Sequence, residues 1–204
     1  MSFKIHKKKK VLVTGGTGFI AGWIIKHLVE EGVTVHATVR DPDDKQKLAH
    51  LVELSENNPG EIILFKSDLL ERGSFNAAAK GCNIVFHTAS PFLFKFNDPV
   101  KDLINPAFEG TKNVLEAVNF TDSVERVVLT SSCAAIYGDA NECEHAPNNT
   151  LTEAIWNNTS SASHQPYSYG KTIAEREAWK LADAQKRWSL VVINPPVVLG
   201  PTVS

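Results

Sequence analysis

Short apolar runs alternate along this chain with longer segments in which apolar residues recur every three or four positions. The runs predict strands at Lys10 to Thr14, Val33 to Val39, Glu61 to Lys66, Asn83 to Thr88, Glu125 to Thr130 and Leu190 to Asn194. The periodic segments predict helices near Phe19 to Glu31, Asp43 to Glu56, Ser74 to Lys80, Val100 to Asn119 and Ser168 to Lys186. Because such alternation is typical of helices packed on a parallel sheet, we predict an α/β fold with a doubly wound parallel sheet. Its ligand crevice should lie beyond the carboxyl ends of the strands.

Proline residues mark three points in these helices. Asp41-Pro42 and Asp98-Pro99 each place an acceptor side chain before a residue suited to a first helical turn, so we predict N-caps at both aspartates. Pro106 lies inside the fourth helix and predicts a kink there. The apolar positions of that helix share one face, which indicates packing against the sheet.

One polar segment, from Asp139 to Pro166, exceeds the usual length of a connection between elements. Its richness in Asn, Ser and Thr favours a functional flap or an excursion on the substrate side of the crevice. Plain surface disorder is the alternative interpretation.

The composition is that of one globular domain, with 204 residues of which 43% are hydrophobic and 22% charged. The net charge is -2, and the conspicuous basic run is Lys7 to Lys10. We interpret this run as a solvated leader to the first strand, so nucleic acid is not an expected partner.

Neither a membrane anchor nor a signal peptide is predicted. The apolar run from Val11 to Ile25 is interrupted by glycines and lacks a cleavage pattern, and no other run approaches the roughly 18 apolar residues of a span. Cys82, Cys133 and Cys143 are widely spaced without a ligand pattern, which disfavours a disulfide framework and a metal site. A cytoplasmic protein is therefore expected.

The first strand leads into a glycine-rich turn, Thr14-Gly15-Gly16-Thr17-Gly18, and then into a helix. Gly15 permits a tight turn, Gly18 lets backbone N-H groups approach a pyrophosphate, and the helix amino end favours negative charge. Ala21 occupies the third small position, where the helix must pass close to the strand. A glycine pattern alone is a weak signal, but the strand before it, the helix after it and a second strand at Val33 indicate the dinucleotide site of a Rossmann fold.

The end of the second strand indicates which dinucleotide binds. An acidic side chain there suits the ribose 2'-hydroxyl of NAD, whereas arginine suits the 2'-phosphate of NADP. Here Arg40 follows the strand and can bind phosphate oxygens, with Lys45 or Lys47 as a second charge. Because we interpret Asp41 as a helix cap, the sequence favours NADP (NADPH).

Tyr167 and Lys171 lie four residues apart at the start of the last helix, and hence on one of its faces. The fifth strand ends in Thr130-Ser131-Ser132, so a hydroxyl, a phenol and an ammonium can converge at the carboxyl edge of the sheet. Reduction of a carbonyl by hydride requires a hydrogen-bond donor and a proton source near the oxygen that becomes negative. Lys171 is placed to stabilise the phenolate of such a proton source.

Several segments of the chain form a joint pattern, in the order TGGTGFIA, ATVRDP, SDL, FHTASPF, DSVERVVLTSSCAA, PYSYGKTIAEREAW and INPPVVLGP. With them the chain resembles, over nearly its whole length, the extended short-chain dehydrogenase/reductases of the dihydroflavonol reductase type. The methylglyoxal (isovaleraldehyde) reductases and cinnamoyl-CoA reductases belong to the same group. The resemblance implies an NADP-dependent oxidoreductase that reduces a ketone or aldehyde to an alcohol, with a small carbonyl compound as its substrate.

The resemblance also implies a role for each matched residue. Ser132 would donate to the substrate carbonyl, Tyr167 would protonate its oxygen, and Lys171 would lower the Tyr167 pKa and bind the nicotinamide ribose. Ser131 is less suited, because the catalytic serine of the family is usually the second of the pair. The near wall of the substrate pocket would be formed by Phe92, Cys133 and Tyr137.

The same resemblance assigns the cofactor contacts. The pyrophosphate would be held by Gly15, Thr17, Gly18, Phe19 and Ile20. The 2'-phosphate would be held by Arg40, with Lys45 as the second charge. The adenine would be flanked by Asp68 and Leu69. The nicotinamide side would be lined by Thr88, Ala89, Ser90, Pro195, Pro196, Val197 and Val198.

Two features depart from the family pattern. Members continue past the motif INPPVVLGP into a carboxyl-terminal segment that closes the substrate pocket, whereas this sequence ends at Ser204. We therefore expect residues 1-204 to be the NADP-binding Rossmann domain of a truncated reductase. The helix asparagine that completes the catalytic set in many relatives has two candidates here, Asn105 and Asn113.

Two other functions stay open at this point. Tyr137-Gly138 after the serines suggests a nucleotide-sugar epimerase or dehydratase, although such enzymes generally hold NAD and carry an acid where this chain has Val39. A non-catalytic, redox-sensing NADP-binding protein would keep the glycine turn but usually lacks the tyrosine and lysine pair.

Overall fold

The structure, a computed structural model, describes residues 9-93 and 95-203. Its strands are β1 (Lys10–Thr14), β2 (Thr34–Val39), β3 (Glu61–Lys66), β4 (Cys82–His87), β5 (Arg126–Thr130) and β6 (Ser189–Ile193). Its α-helices are α1 (Phe19–Glu30), α2 (Lys45–Asn57), α3 (Asn76–Ala79), α4 (Asn105–Asn119) and α5 (Pro166–Asp183). Every strand begins and ends within one residue of its predicted bounds.

The strands form one six-stranded sheet in the order β3-β2-β1-β4-β5-β6, and each neighbouring pair is parallel. The predicted doubly wound sheet is therefore confirmed. The order reverses between β1 and β4, which lie side by side at the centre of the sheet. Ligands of such sheets bind beyond the carboxyl ends of the strands at this reversal.

The central strand β1 has a continuous apolar sequence because both of its faces are buried. Val11 and Val13 belong to an apolar cluster formed with α1 and α2 on one side of the sheet. Leu12 belongs to the cluster on the other side, which includes side chains of α4 and α5. Alternate residues of a strand point to opposite faces, so this one short run anchors both helical layers.

The helix that contains Pro106 begins with a wide turn. Asp98 accepts hydrogen bonds from two backbone N-H groups of this turn, at 3.0 and 3.2 Å, which confirms the cap predicted at that residue. The turn itself, Val100–Ile104, is a π-helix, and α4 follows directly. Proline lacks an N-H group and its ring crowds the preceding turn, so a wider turn accommodates the irregularity that the sequence predicts as a kink.

The N-cap predicted at Asp41 is wrong. Helix α2 begins at Lys45, and its cap is Asp44, whose carboxylate accepts a hydrogen bond from the Lys47 N-H at 3.2 Å. Asp41 instead accepts from the Asp43 N-H at 3.0 Å in the turn before the helix. Aspartate can satisfy either pattern, and here the first aspartate is used by the local turn.

The polar segment from Asp139 to Pro166 is structured by hydrogen bonds between side chains and backbone. It contains short 3-10 helices at Ala140–His145 and Pro147–Asn149. Glu142 accepts from two backbone N-H groups at the start of the segment, and buried Asn157 donates to the Ala134 carbonyl at 2.8 Å. The role of this segment as a substrate-side flap stays a prediction.

Two predictions concern the basic leader and the absence of a membrane span, and part of the leader lies outside the described residues. Lys7 and Lys8 of the predicted basic leader lie outside the described residues, whereas Lys9 forms an ion pair with Glu125. Among the described residues, none of the helices has the length and apolar run needed to cross a bilayer.

Candidate active site

The glycine-rich turn joins β1 to α1 at the carboxyl edge of the sheet. Gly15 has a φ of 70°, a left-handed conformation that glycine adopts without strain. The Gly16 N-H donates to the Thr38 carbonyl and the Gly18 N-H donates to the Gly15 carbonyl, each at 2.8 Å. Gly18 is the N-cap of α1 and supplies no side-chain acceptor, so the first N-H groups of this helix remain available for an anion.

The same turn packs closely against the loop that follows β4. A Cβ atom on Gly15 would lie 3.1 Å from the Cβ of Ala89. The buried Thr14 hydroxyl accepts hydrogen bonds from the N-H groups of Thr88 and Ala89, each at 3.1 Å. Residues predicted for the pyrophosphate and for the nicotinamide side of the cofactor therefore lie next to each other across the strand reversal.

The residues predicted for the 2'-phosphate lie at the carboxyl end of β2. Arg40 is exposed and makes no hydrogen bond or ion pair within residues 9-93 and 95-203. Lys47 is paired with Asp44 at 2.9 Å, whereas the Lys45 ammonium has no such pair within the same ranges. Arg40 and Lys45 are thus the two cations at this strand end that remain free to bind an anion.

The residues predicted to flank adenine follow β3 and are tied to α4. Asn113 donates to the Leu69 carbonyl at 2.7 Å. A Cβ atom on Gly110 would lie 2.6 Å from the Leu69 side chain, so the helix and the loop are in close contact. Of the two candidate helix asparagines, Asn113 therefore orders the loop that contains Asp68 and Leu69, while Asn105 is exposed.

The three side chains predicted for catalysis come together beyond the end of β5. The Ser132 side chain interacts with the Tyr167 phenol and lowers its pKa. The Lys171 Nζ lies 6.0 Å from the centre of the Tyr167 ring and donates to the Thr130 carbonyl at 3.3 Å. The spacing of Tyr167 and Lys171 follows from α5, because residues four apart share a helix face.

Burial controls the charges of this cluster. It lowers the pKa of Lys171 to about 8, against the opposing effect of the Glu175 charge. Burial raises the pKa of Tyr167, and the interaction with Ser132 offsets this only in part. The Tyr167 pKa thus moves in the direction opposite to that expected for a tyrosine beside a lysine, because desolvation is the largest influence on it.

A buried carboxylate that the sequence analysis missed connects both serines to α5. Glu175 is 7% exposed and accepts hydrogen bonds from Ser131 Oγ at 2.5 Å and from Asn194 Nδ2 at 2.8 Å. Asn194 also donates to the Ser132 carbonyl at 3.1 Å. The available signal was an acid four residues after Lys171, on the face of α5 that packs against the sheet.

A second missed residue, His87, lies at the carboxyl end of β4. Its Nδ1 is 2.9 Å from Thr14 Oγ1 and its Nε2 is 3.3 Å from Thr111 Oγ1. Burial, reinforced by the Lys171 charge, lowers the pKa of His87 to about 3, so its ring is neutral at pH 7. This ring joins β1, β4 and α4 below the crevice.

The predicted substrate wall lies around the tyrosine. The Phe92 ring meets the Tyr167 ring edge-on, with centroids 5.5 Å apart and an interplanar angle of 77°. Phe92 is nevertheless 64% exposed. A hydrogen bond with the Cys133 side chain, together with burial, raises the pKa of Tyr137. Phe92 thus contacts Tyr167 while most of its own surface stays exposed.

The last of the predicted cofactor residues follow β6. The Cys133 N-H donates to the Pro195 carbonyl at 3.0 Å, and the next three residues, Pro196, Val197 and Val198, are exposed. The chain then passes over α1, where Trp23 Nε1 donates to the Pro201 carbonyl at 3.0 Å. The segment therefore runs from the carboxyl end of β5 to the helix of the glycine turn.

Sheet order and site geometry together define a class: α/β proteins that bind a dinucleotide at the strand reversal and hold a polar reaction centre beside it. The comparison with known families agrees. A model described as the NAD dependent epimerase/dehydratase family matches residues 11-204. The chain belongs to this family, which confirms its resemblance to the extended short-chain dehydrogenase/reductases.

Several curated relatives are plant reductases. The chain is 43% identical over 202 residues to a putative anthocyanidin reductase of Ginkgo biloba, which covers 95% of this chain and 57% of the relative. It is 42% identical to a cinnamoyl-CoA reductase of Medicago truncatula, covering 94% of this chain and 58% of that protein. The chain thus spans somewhat more than half the length of these relatives.

A solved structure shows the same fold. Yeast methylglyoxal/isovaleraldehyde reductase Gre2, complexed with NADPH, matches with a TM-score of 0.81 and 32% sequence identity. The match covers 95% of this chain and 59% of the yeast protein. Vestitone reductase from alfalfa matches with a TM-score of 0.76 and 30% identity, over 96% of this chain and 59% of the alfalfa protein.

Proposed function

We propose that the protein is an NADPH-dependent carbonyl reductase that converts a ketone or aldehyde to an alcohol. The observation that carries this proposal is the convergence of Ser132, Tyr167 and Lys171 at the end of β5, beside the glycine turn. Reductases among the relatives support the same class of reaction. Residues 1-204 would then form the NADP-binding Rossmann domain.

The described residues fit NADP. The uncapped amino end of α1 and the left-handed Gly15 offer backbone N-H groups to a pyrophosphate. Arg40 and Lys45 offer two unpaired cations where a 2'-phosphate would lie. Asp68 and Leu69, held by Asn113, would flank the adenine, and Thr88 to Ser90 would line the nicotinamide side with Pro195 to Val198.

Each of the three proposed catalytic side chains would have a separate role in reducing the substrate carbonyl. When bound, the cofactor supplies the hydride. Ser132 would donate a hydrogen bond to the carbonyl oxygen, and Tyr167 would transfer its phenolic proton to the same oxygen. The Lys171 ammonium would stabilise the phenolate that remains and would bind the nicotinamide ribose. Phe92, Cys133 and Tyr137 would form the near wall of the substrate pocket.

A nucleotide-sugar epimerase or dehydratase is the competing enzyme class, and the name of the NAD dependent epimerase/dehydratase family favours it. A solved structure of MoeE5 in complex with UDP-glucuronic acid and NAD also matches, with a TM-score of 0.66 and 25% identity over 91% of this chain and 54% of that chain. Arg40 after β2 supports NADP instead. NAD that copurifies with the intact protein would support the epimerase class. NADPH binding without turnover of any carbonyl compound would support a redox-sensing protein.

The test of the reductase function is Tyr167→Phe in the intact protein, measured against a panel of diketones, aldehydes and flavonoids. We expect NADPH consumption to fall by about a thousandfold, because the proton source is lost, while NADPH binding is retained. Tyr169→Phe is the matched control, since it makes the same change two residues along the helix and should keep activity. Retained turnover in Tyr167→Phe would contradict the proposed mechanism.

A further inference from the structure

Glu175 is an anion buried among neutral donors. Its carboxylate accepts from Ser131, from Asn194 and, at 3.4 Å, from Trp179 Nε1. Burying a carboxylate is unfavourable unless hydrogen bonds or an opposite charge compensate it. The buried cation of α5 is Lys171, one helical turn earlier, at 8% exposure.

The Glu175 carboxylate affects the proposed reaction centre in two ways. Through Asn194, which donates to both Glu175 and the Ser132 carbonyl, it fixes the backbone of the serine whose side chain interacts with Tyr167. Through space, its negative charge favours the ammonium form of Lys171. Ser132 and Lys171 are therefore both affected by one residue that is not among the predicted substrate-wall residues.

The other titratable groups around Lys171 do not replace this charge. His87 approaches from β4 but is neutral at pH 7, because burial lowers its pKa to about 3. Tyr167 shares α5 with Lys171, and Cys133 follows β5 and acts on Tyr167. Glu175 is thus the group whose charge raises the pKa of Lys171 against burial.

We propose that Glu175 is a positioning residue of the reductase site, whose buried carboxylate sets the Ser132 backbone through Asn194 and places a negative charge one helical turn from Lys171. The inference rests on the proposed reductase function. Because Glu175 acts through other residues, its effect must appear in a property that a purely structural residue would leave unchanged.

The first experiment measures the pH profile of carbonyl reduction in the intact protein. In Glu175→Gln we expect kcat to fall by at least about tenfold, and the alkaline limb to move about one unit to lower pH because the Lys171 ammonium loses its partner. Glu175→Asp keeps the charge at a shorter reach, so its alkaline limb should stay in place while kcat falls. Glu177→Gln, which removes a carboxylate paired with Lys180 on the same helix, is the matched control and should leave both unchanged.

The second experiment does not require turnover. The NMR signal of the Lys171 side-chain Cε, assigned by its loss in Lys171→Met, reports the titration of this amine. We expect a midpoint near pH 8 in the wild type and a lower midpoint in Glu175→Gln. If the intact protein reduces no carbonyl compound, the proposed function fails, whereas this titration still decides whether Glu175 acts on Lys171.

Two results would overturn the inference. One is a Glu175→Gln variant with the wild-type alkaline limb and Lys171 midpoint, including the case in which activity merely follows the loss of folded protein. The second result is measured in two other variants and applies if Glu175→Gln does not fold. Ser131→Ala and Asn194→Ala, which remove single donors to the carboxylate, should then each lower kcat about threefold to tenfold. Wild-type kcat in both variants would exclude a positioning role.

Discussion

The two halves of the crevice use different kinds of chemical groups. On the side of β1 to β3, a glycine turn and Arg40 present backbone N-H groups and a solvent-exposed charge. On the side of β4 to β6, Lys171, Glu175 and His87 are buried, and neighbouring groups satisfy them. The first half depends on backbone shape and the second on a desolvated network. Substitutions should therefore separate cofactor binding from turnover.

The strongest expected effect comes from removing the buried cation. Lys171→Met should lower kcat for carbonyl reduction by about a thousandfold, because the phenolate of Tyr167 loses its stabilising charge. NADPH binding should weaken far less, since the glycine turn and Arg40 are untouched. Steady-state kinetics and fluorescence titration with NADPH would measure the two effects separately. Equal losses in binding and turnover would contradict the division between the halves.

The pH dependence of stability should also differ between the wild type and this variant. The folded chain holds Lys171 with a pKa of about 8, below its ordinary 10.5, so the unfolded chain binds more protons between these values. The free energy of unfolding of the wild type should therefore rise relative to Lys171→Met as the pH increases from about 8 to 10.5. Urea unfolding of both proteins between pH 7 and pH 10.5 measures this difference.

A smaller effect, confined to the binding half, is expected from Gly15→Ala. The new Cβ would lie 3.1 Å from Ala89 Cβ on a residue with φ of 70°, so the turn must shift. Strain of about 2 kcal/mol at the pyrophosphate site should raise the Kd for NADPH about thirtyfold. Gly81→Ala is the control, because its φ is 75° but a Cβ there meets nothing within 4 Å. If both variants bind NADPH like the wild type, the close approach is not required for binding.

The smallest effect should come from the exposed charge. Arg40→Ala removes a cation that contacts nothing else among the described residues, so it should raise the Kd for NADPH about tenfold and leave the Kd for NADH unchanged. The difference should shrink at high ionic strength, because the interaction is solvent-exposed. Lys47→Ala removes a cation already paired with Asp44 and should change the NADPH affinity less. Equal effects on both cofactors would argue against 2'-phosphate recognition by Arg40.

Local signals were sufficient for the sheet and for most helices. Strand β1 was predictable because its buried positions are consecutive. The cap at Asp98 was predictable because its carboxylate accepts from backbone N-H groups of the turn that follows directly. Asp41 misled because two aspartates precede α2, and only the geometry of the turn determines which side chain reaches the helix. Such choices depend on the backbone, not on residue type.

The residues of the site also separate into those that local sequence predicts and those that only the fold brings together. Spacing within one motif indicated the glycine turn, Arg40 and the pair of Tyr167 and Lys171, because each lies on a single strand-to-helix unit or helix. The network of Glu175, Asn194 and His87 joins residues from different strands and helices, so no local pattern predicts it. The direction of the Tyr167 pKa was likewise fixed by the fold. Burial is a property of the packed chain, and desolvation is the largest influence on the pKa of this tyrosine.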